Sequence, residues 1–276
     1  MQELSIRTDD EVELSGEESG EGSPLVLLHG LTATRRYVVM GSRLLERSGR
    51  RVIAYDARGH GRSTPALDPS AYGYERLAAD LLAILDALGL ERAVLAGASM
   101  GAHTAVRFAL RHPERVAALG LITPSYDPAA DTTGLDAFAG WDALAKGLSE
   151  GGVEGFLAAY DFSPLPVQWR ATVEKVIRQR LSAHEHPEAV ANALEVVPRS
   201  RPFEDMGELA LIQAPAVVVG SRDEADPGHP LAVGERYAQA IPGAKLIVEA
   251  PGQSPIAWQG GQLSKVLAEL IANGST

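Results

Sequence analysis

The sequence predicts an α/β fold, with a central, mostly parallel sheet and helices on both of its faces. Short apolar runs alternate along the chain with segments whose leucines recur at helical spacing, which is the pattern of β-α-β units. The runs are continuously apolar, as expected of strands that are covered on both faces. They occupy residues 25–28, 52–55, 93–96, 119–122, 216–219 and 246–248.

Length and composition favour one folded domain over residues 1–276, with 45% apolar and 22% charged residues. The net charge of −11 disfavours nucleic acid and anionic membrane surfaces as partners. The absence of cysteine excludes disulfides and thiolate catalysis. Because the sequence begins without a basic and apolar leader, and no apolar run approaches membrane-spanning length, we expect a cytoplasmic protein.

The elements between the predicted strands follow in order. The acidic stretch 16–22 is predicted to be a solvated turn between N-terminal strands. Leucines at helical spacing between Leu77 and Leu88 predict a helix that Gly89 ends. A second helix is predicted to follow Ser99 and to stop before Pro113.

Strand signals vanish over residues 124–211, where amphipathic helical patterns replace them. An insertion at the carboxyl edge of a parallel sheet lies where ligands bind in such folds. We therefore expect a helical cap that covers the substrate, the alternative being an extra packing layer. Aromatic residues of this segment could line an apolar pocket, although most such residues belong to a core: Trp141, Phe156, Tyr160, Phe162 and Trp169.

The strongest chemical signal is a G-x-S-x-G motif formed by Gly97, Ser99 and Gly101. It stands directly after an apolar run and directly before a helical pattern, which is the setting of a sharp strand-to-helix turn. Such a turn exposes the serine hydroxyl above the sheet. Ser99 is therefore the predicted nucleophile of an acyl-transfer reaction.

A second signal, His29-Gly30-Leu31-Thr32, follows the first strong strand. The oxyanion formed in acyl transfer needs two converging donors, and the loop after this strand commonly supplies one of them. We expect the Leu31 and Met100 amides to form this oxyanion hole. His29 itself is interpreted as structural.

Together with the loop at residues 56–63, these motifs resemble the α/β-hydrolase family over nearly the whole chain. The resemblance implies a cofactor-independent hydrolase of carboxylic esters or lactones that forms a serine acyl-enzyme and needs no metal. A serine at the elbow argues against the dehalogenase and epoxide hydrolase branches, which use aspartate there. By the same resemblance, the acid follows the next-to-last strand, where Asp223 is the first choice and Asp226 the alternative.

The sequence departs from the family pattern after the last strand, where Gln253 stands at the position of the catalytic histidine and no histidine occurs after His229. An amide cannot accept the serine proton usefully. Three interpretations remain, in this order: a substitution that traps substrate, a natural small-molecule binding protein without turnover, or an enzyme with another base. The first predicts an impaired esterase with Ser99, Asp223 and Gln253 as its triad.

Two histidines are candidates for another base. His229 precedes a proline that is expected to begin a helix, and His103 lies one helical turn beyond Ser99, along the helix flank. Neither is expected to reach the serine hydroxyl. His184-Glu185-His186 lacks the spacing that places two metal ligands on one helical face.

Overall fold

The computed structural model describes residues 1–130 and 137–273, and it confirms the predicted α/β fold. Eight strands form one sheet in the order β1-β2-β4-β3-β5-β6-β7-β8. From β4 to β8 all neighbours in this order are parallel, so the carboxyl ends of six strands share one edge. The strands are β1 Gln2–Arg7, β2 Glu13–Ser19, β3 Ser23–Leu28, β4 Arg50–Tyr55, β5 Ala93–Ala98, β6 Val116–Ile122, β7 Ala216–Val219 and β8 Lys245–Ile247.

The described helices are α1 Leu44–Arg47, α2 Tyr74–Ala87, α3 Met100–Arg111, α4 Ala139–Ala159, α5 Val167–Leu181, α6 Pro187–Val196, α7 Leu231–Ala240 and α8 Gly260–Asn273. Alternate residues of the central strands enter the cores on opposite faces of the sheet. Val26 and Leu28 pack with α2, α3 and α7, whereas Leu25 and Leu27 pack with α1 and α8. The two-sided burial explains why the strands are apolar without alternation.

The acidic stretch 16–22 differs from its prediction, because residues 16–19 belong to β2. β2 pairs antiparallel with β4, with Gly16 opposite Tyr55 and Glu18 opposite Ile53. Glu18 accepts two hydrogen bonds, of 2.8 and 2.9 Å, from the Arg51 guanidinium. One of the charges that suggested a solvated turn, Glu18, therefore has a partner on the neighbouring strand, and residues 20–22 turn the chain.

Between β6 and β7 the described chain contains helices α4, α5 and α6, which we call the cap. Residues 131–136 of the predicted insertion lie outside the described residues. The cap has a small apolar core of its own that includes Phe156, Leu181 and Leu194. Within the described ranges, no helix combines the length and apolar character that crossing a bilayer requires. The cytoplasmic location stays a prediction.

Candidate active site

Ser99 lies in a strained turn at the carboxyl edge of the sheet. β5 ends at Ala98 and α3 begins at Met100, so Ser99 alone joins strand to helix, with φ of 50° and ψ of −114°. A residue other than glycine held in such a conformation costs about 1–3 kcal/mol. The fold maintains this conformation and leaves the Ser99 side chain half-buried.

The two glycines of the motif are required by close contacts. A Cβ at Gly97 would lie 2.2 Å from the Gly101 carbonyl oxygen, and a Cβ at Gly101 would lie 2.2 Å from the Leu28 carbonyl oxygen. Both distances are far below contact between atoms that are not bonded. The motif therefore lets α3 start directly against β3 and β5.

The Ser99 hydroxyl contacts a histidine from the loop after β7. His229 Nε2 lies 2.8 Å from Ser99 Oγ, and His229 Nδ1 lies 2.7 Å from Asp226 Oδ1. With Nδ1 protonated, the ring donates to Asp226 and accepts from the serine hydroxyl. His229 and Asp226 side chains are 24% and 23% exposed, so the pair is open to a ligand. Such a chain of hydrogen bonds allows the histidine to take the serine proton.

The predicted grouping of Ser99, Asp223 and Gln253 is not what the structure assembles. Asp223 Oδ1 accepts the Ala225 amide at 2.9 Å and so shapes the loop that leads to His229. Burial raises the pKa of the Asp223 carboxyl, an effect that the hydrogen bond from the Ala225 amide opposes. Gln253 is exposed in the turn after β8, and its side chain has no hydrogen bond to any described residue.

The expectation that His229 would not reach Ser99 was wrong for a geometric reason. Pro230 does precede a helix, since α7 begins at Leu231. However, the loop between a parallel strand and the next helix lies at the carboxyl edge of the sheet, where the elbow also lies. His229, two residues before α7, faces the nucleophile from this loop. The spacing of Asp226 and His229, one turn apart on a loop at this edge, was the available signal, and Asp226 had been the alternative acid.

His103 is occupied elsewhere, in agreement with the prediction. Its Nε2 accepts the amides of Ser125 and Tyr126, each at 3.0 Å, and its Nδ1 is 2.9 Å from the Tyr74 hydroxyl. Burial lowers the pKa of His103 to about 3. The ring is a neutral support for the loop after β6.

The loop after β3 lies against the elbow. A Cβ at Gly30 would be 3.4 Å from Ser99 Cβ, so this loop passes the nucleophile at van der Waals distance. The Leu31 and Met100 amides donate to no acceptor among the described residues. For Met100 this is expected, because the first amides of a helix have no acceptor within the helix. Both amides are thus available as donors, although a role in an oxyanion hole stays a prediction.

Two histidines fix the surrounding loops. His29 Nδ1 bonds to the Gly30 carbonyl at 2.8 Å, and its Nε2 accepts the Ala57 amide at 2.9 Å, which fits the structural role expected of it. His184 of the cap accepts the Gly61 amide at 2.8 Å and bonds to the Thr32 carbonyl at 3.1 Å. These contacts tie the cap to the loops after β3 and β4.

Three of the five aromatic residues that could line the pocket, Trp141, Phe156 and Tyr160, occupy different environments. Phe156 is buried in the core of the cap, and Trp141 is 40% exposed on α4. Tyr160 packs beside Phe156 and Phe162. Burial raises the pKa of the Tyr160 hydroxyl, and the negative charge of Asp226 adds to this rise. A substrate contact by any of the three stays a prediction.

Comparison with known proteins agrees with this architecture. The chain belongs to the α/β-hydrolase fold family, whose profile matches residues 23–260. It is 33% identical over 254 residues to a 2-hydroxy-6-oxononadienedioate/2-hydroxy-6-oxononatrienedioate hydrolase of Pseudomonas putida, covering 86% of this chain and 84% of that protein. A protein of Mycobacterium phage D29 named for non-heme haloperoxidase activity is 46% identical over 104 residues, 37% of this chain and 36% of that protein.

Among solved structures, a thermophilic esterase from Thermogutta terrifontis superposes with a TM-score of 0.80 at 28% identity, with full coverage of both chains. The family and these relatives support a general role as a hydrolase.

Proposed function

We propose that the chain is a serine hydrolase of carboxylic esters or lactones, with Ser99 as nucleophile, His229 as general base and Asp226 as the residue that orients His229. The observation that carries this proposal is the unbroken line of hydrogen bonds, 2.8 and 2.7 Å long, from Ser99 through His229 to Asp226. Its geometry is that required for nucleophile activation.

The proposed reaction begins when His229 Nε2 takes the hydroxyl proton as Ser99 Oγ attacks the ester carbonyl. The Leu31 and Met100 amides would hold the resulting oxyanion. His229 then returns the proton to the leaving alcohol, and the C–O bond breaks to leave an acyl-enzyme. A water molecule, deprotonated by His229, attacks the acyl group, and collapse of the second intermediate releases the acid and the free serine. Asp226 stabilises the imidazolium in each half-reaction.

This proposal removes the basis for an impaired enzyme. The expected impairment rested on glutamine at position 253, whereas a histidine already contacts the serine. We assign Gln253 no proton transfer. Turnover and covalent labelling of Ser99 distinguish the enzyme from the rival interpretation, a binding protein without turnover.

Hydrolysis of short-chain 4-nitrophenyl esters by the parent and by Ser99→Ala tests the proposal. We expect the parent to turn over and Ser99→Ala to lose about 10⁵- to 10⁶-fold in kcat, as in the subtilisin example. A fluorophosphonate probe followed by peptide mass analysis should label Ser99. The control is Ser254→Ala, because Ser254 is an exposed serine beside Gln253. Ester binding with neither turnover nor labelling in the parent would favour the binding protein.

A further inference from the structure

Glu249 joins the end of β8 to the loop after β7. Its side chain is buried, whereas Val248 before it is half-buried and Ala250 after it is exposed. Glu249 Oε1 accepts hydrogen bonds from the Arg222 amide and, at 3.3 Å, from the Ser221 hydroxyl. The Arg222 guanidinium donates to the Glu249 carbonyl oxygen at 2.6 Å. Glu249 is therefore bonded to the first two residues of the loop that contains His229.

Further hydrogen bonds extend this attachment along the loop to His229. The Ser221 hydroxyl oxygen accepts the Asp223 amide at 3.1 Å. The Asp223 carbonyl oxygen accepts the Asp226 amide at 3.2 Å, and the Asp226 carbonyl oxygen accepts the His229 amide, also at 3.2 Å. The His229 ring then contacts the nucleophile. Hydrogen bonds thus lead without a gap from the Glu249 carboxylate to the reacting hydroxyl.

Stability alone does not explain a buried carboxylate at this position. Glu249 Oε2 is buried, and it has no hydrogen-bond partner within residues 1–130 and 137–273. Burying a carboxylate costs free energy that its hydrogen bonds return only in part, and an apolar side chain of similar volume is often at least as stable. An apolar side chain, however, could not accept the Arg222 amide and the Ser221 hydroxyl. The contribution of Glu249 is therefore to the conformation of the loop.

The conformation of this loop matters because His229 has to stay within hydrogen-bond distance of the serine hydroxyl. A displacement of about 1 Å at reacting groups can cost about 100-fold in rate. The loop is neither helix nor strand, and the His229 side chain is 24% exposed. Hydrogen bonds within the loop and at its start therefore have a large share in fixing the position of the imidazole.

We propose that Glu249 is a positioning residue that holds the loop after β7 in the conformation in which His229 contacts Ser99. The inference rests on the proposed hydrolase function and deepens it, because it adds a residue that sets the rate without touching the substrate. Proton transfer stays with His229, and Glu249 acts through the Arg222 amide and the Ser221 hydroxyl.

Steady-state hydrolysis of 4-nitrophenyl acetate, compared at matched folded fractions, tests the proposal. Glu249→Ala should lower kcat about 10- to 100-fold and leave KM within about threefold of the parent, because His229 moves while the substrate contacts remain. Glu249→Gln should recover most of this loss, since its amide oxygen can accept the Arg222 amide. Glu224→Ala is the control, because it removes an exposed carboxylate from the same loop and should leave kcat unchanged. Equal losses in Glu249→Ala and Glu249→Gln overturn the proposal.

The same substitution in the His229→Gln background separates positioning from a general loosening of the fold. Once the imidazole is gone, Glu249 has no base to position, so Glu249→Ala should change the residual rate by less than about threefold. A residue needed only for stability would lower both rates by the same factor. An equal loss in the two backgrounds, or a kcat of Glu249→Ala within threefold of the parent, overturns the proposal.

Hydrogen exchange followed by mass spectrometry separates this inference from the hydrolase assignment. Peptides that cover residues 221–229 should exchange about 10- to 100-fold faster in Glu249→Ala than in the parent, whereas peptides of β5 and α3 should not change. If hydrolysis does not depend on Ser99 or His229 but this exchange depends on Glu249, the proposed function fails and the attachment of the loop stands. Equal exchange of residues 221–229 in both proteins overturns the role of Glu249.

Discussion

The loops after β7 and β8 end at the same edge of the sheet but differ in what they bring to it. The loop after β7 contains Asp226 and His229, and its histidine contacts Ser99. The loop after β8 contains Gln253, which is exposed and without a side-chain hydrogen bond among the described residues. The family pattern would place the base on the second loop, whereas the geometry here provides it from the first.

The difference shows that a catalytic base is defined by reach and orientation. Both loops lie at the carboxyl edge of the sheet because their strands are parallel neighbours. In the loop after β7, the acid and the base are one turn apart, and the His229 amide donates to the Asp226 carbonyl at 3.2 Å. One short turn therefore orients both side chains.

The largest expected effect comes from replacing His229 on the first loop, whereas replacing Gln253 on the second loop should have little effect. His229→Gln should lower kcat by about 10⁴- to 10⁶-fold, because a glutamine can hydrogen-bond to Ser99 but cannot take its proton. Gln253→Ala should remain within about threefold of the parent, since surface substitutions usually have small effects. Steady-state hydrolysis of a 4-nitrophenyl ester measures both.

Gln253→His serves as the converse variant. If His229 is the base, adding a second histidine after β8 brings no more than a few-fold gain. A gain of several orders of magnitude would return the catalytic role to the loop after β8, and a parent that is insensitive to His229→Gln would do the same.

The next effect separates the two acids of the loop after β7. Asp226→Asn should lower kcat by about 10³- to 10⁴-fold, because an amide favours the wrong imidazole tautomer and does not stabilise the imidazolium. Asp223→Asn should cost about tenfold or less, since Asp223 acts on the loop through the Ala225 amide. Rates are compared at matched folded fractions, measured by circular dichroism. A larger loss in Asp223→Asn than in Asp226→Asn would contradict the assignment.

The sequence predicted the sheet well because its signals were local. Apolar runs located strands β3 to β8, and the glycines around Ser99 identified the elbow. The strand at residues 13–19 was partly missed, because its charged residues are satisfied across the sheet by partners such as Arg51, which no local pattern reveals. Asp226 and His229 were visible as residues, but their role depends on where the loop turns, and the resemblance directed attention to Gln253.

The smallest expected effect is on the free energy of unfolding and concerns the loop after β6, whose amides donate to the buried His103 side chain. An unfolded histidine takes up a proton near pH 6.5, whereas burial delays protonation of His103 in the fold to a pKa of about 3. Between these values the unfolded chain binds a proton that the folded chain does not. The free energy of unfolding should therefore fall as the pH is lowered from about 6.5 toward 3, with a His103 contribution of about 1–2 kcal/mol between pH 7 and 5.

Urea unfolding of the parent and of His103→Gln from pH 7 to pH 5 measures this contribution. Glutamine can still accept an amide from the loop after β6 but takes up no proton, so the decline with acidity should be shallower in the variant. His112→Gln is the control, because the His112 side chain is 33% exposed at the end of α3. Parallel pH profiles for the parent and His103→Gln would show that His103 does not couple proton uptake to folding. A shallower profile in the variant would identify His103 as a buried, neutral support that takes up a proton when the chain unfolds.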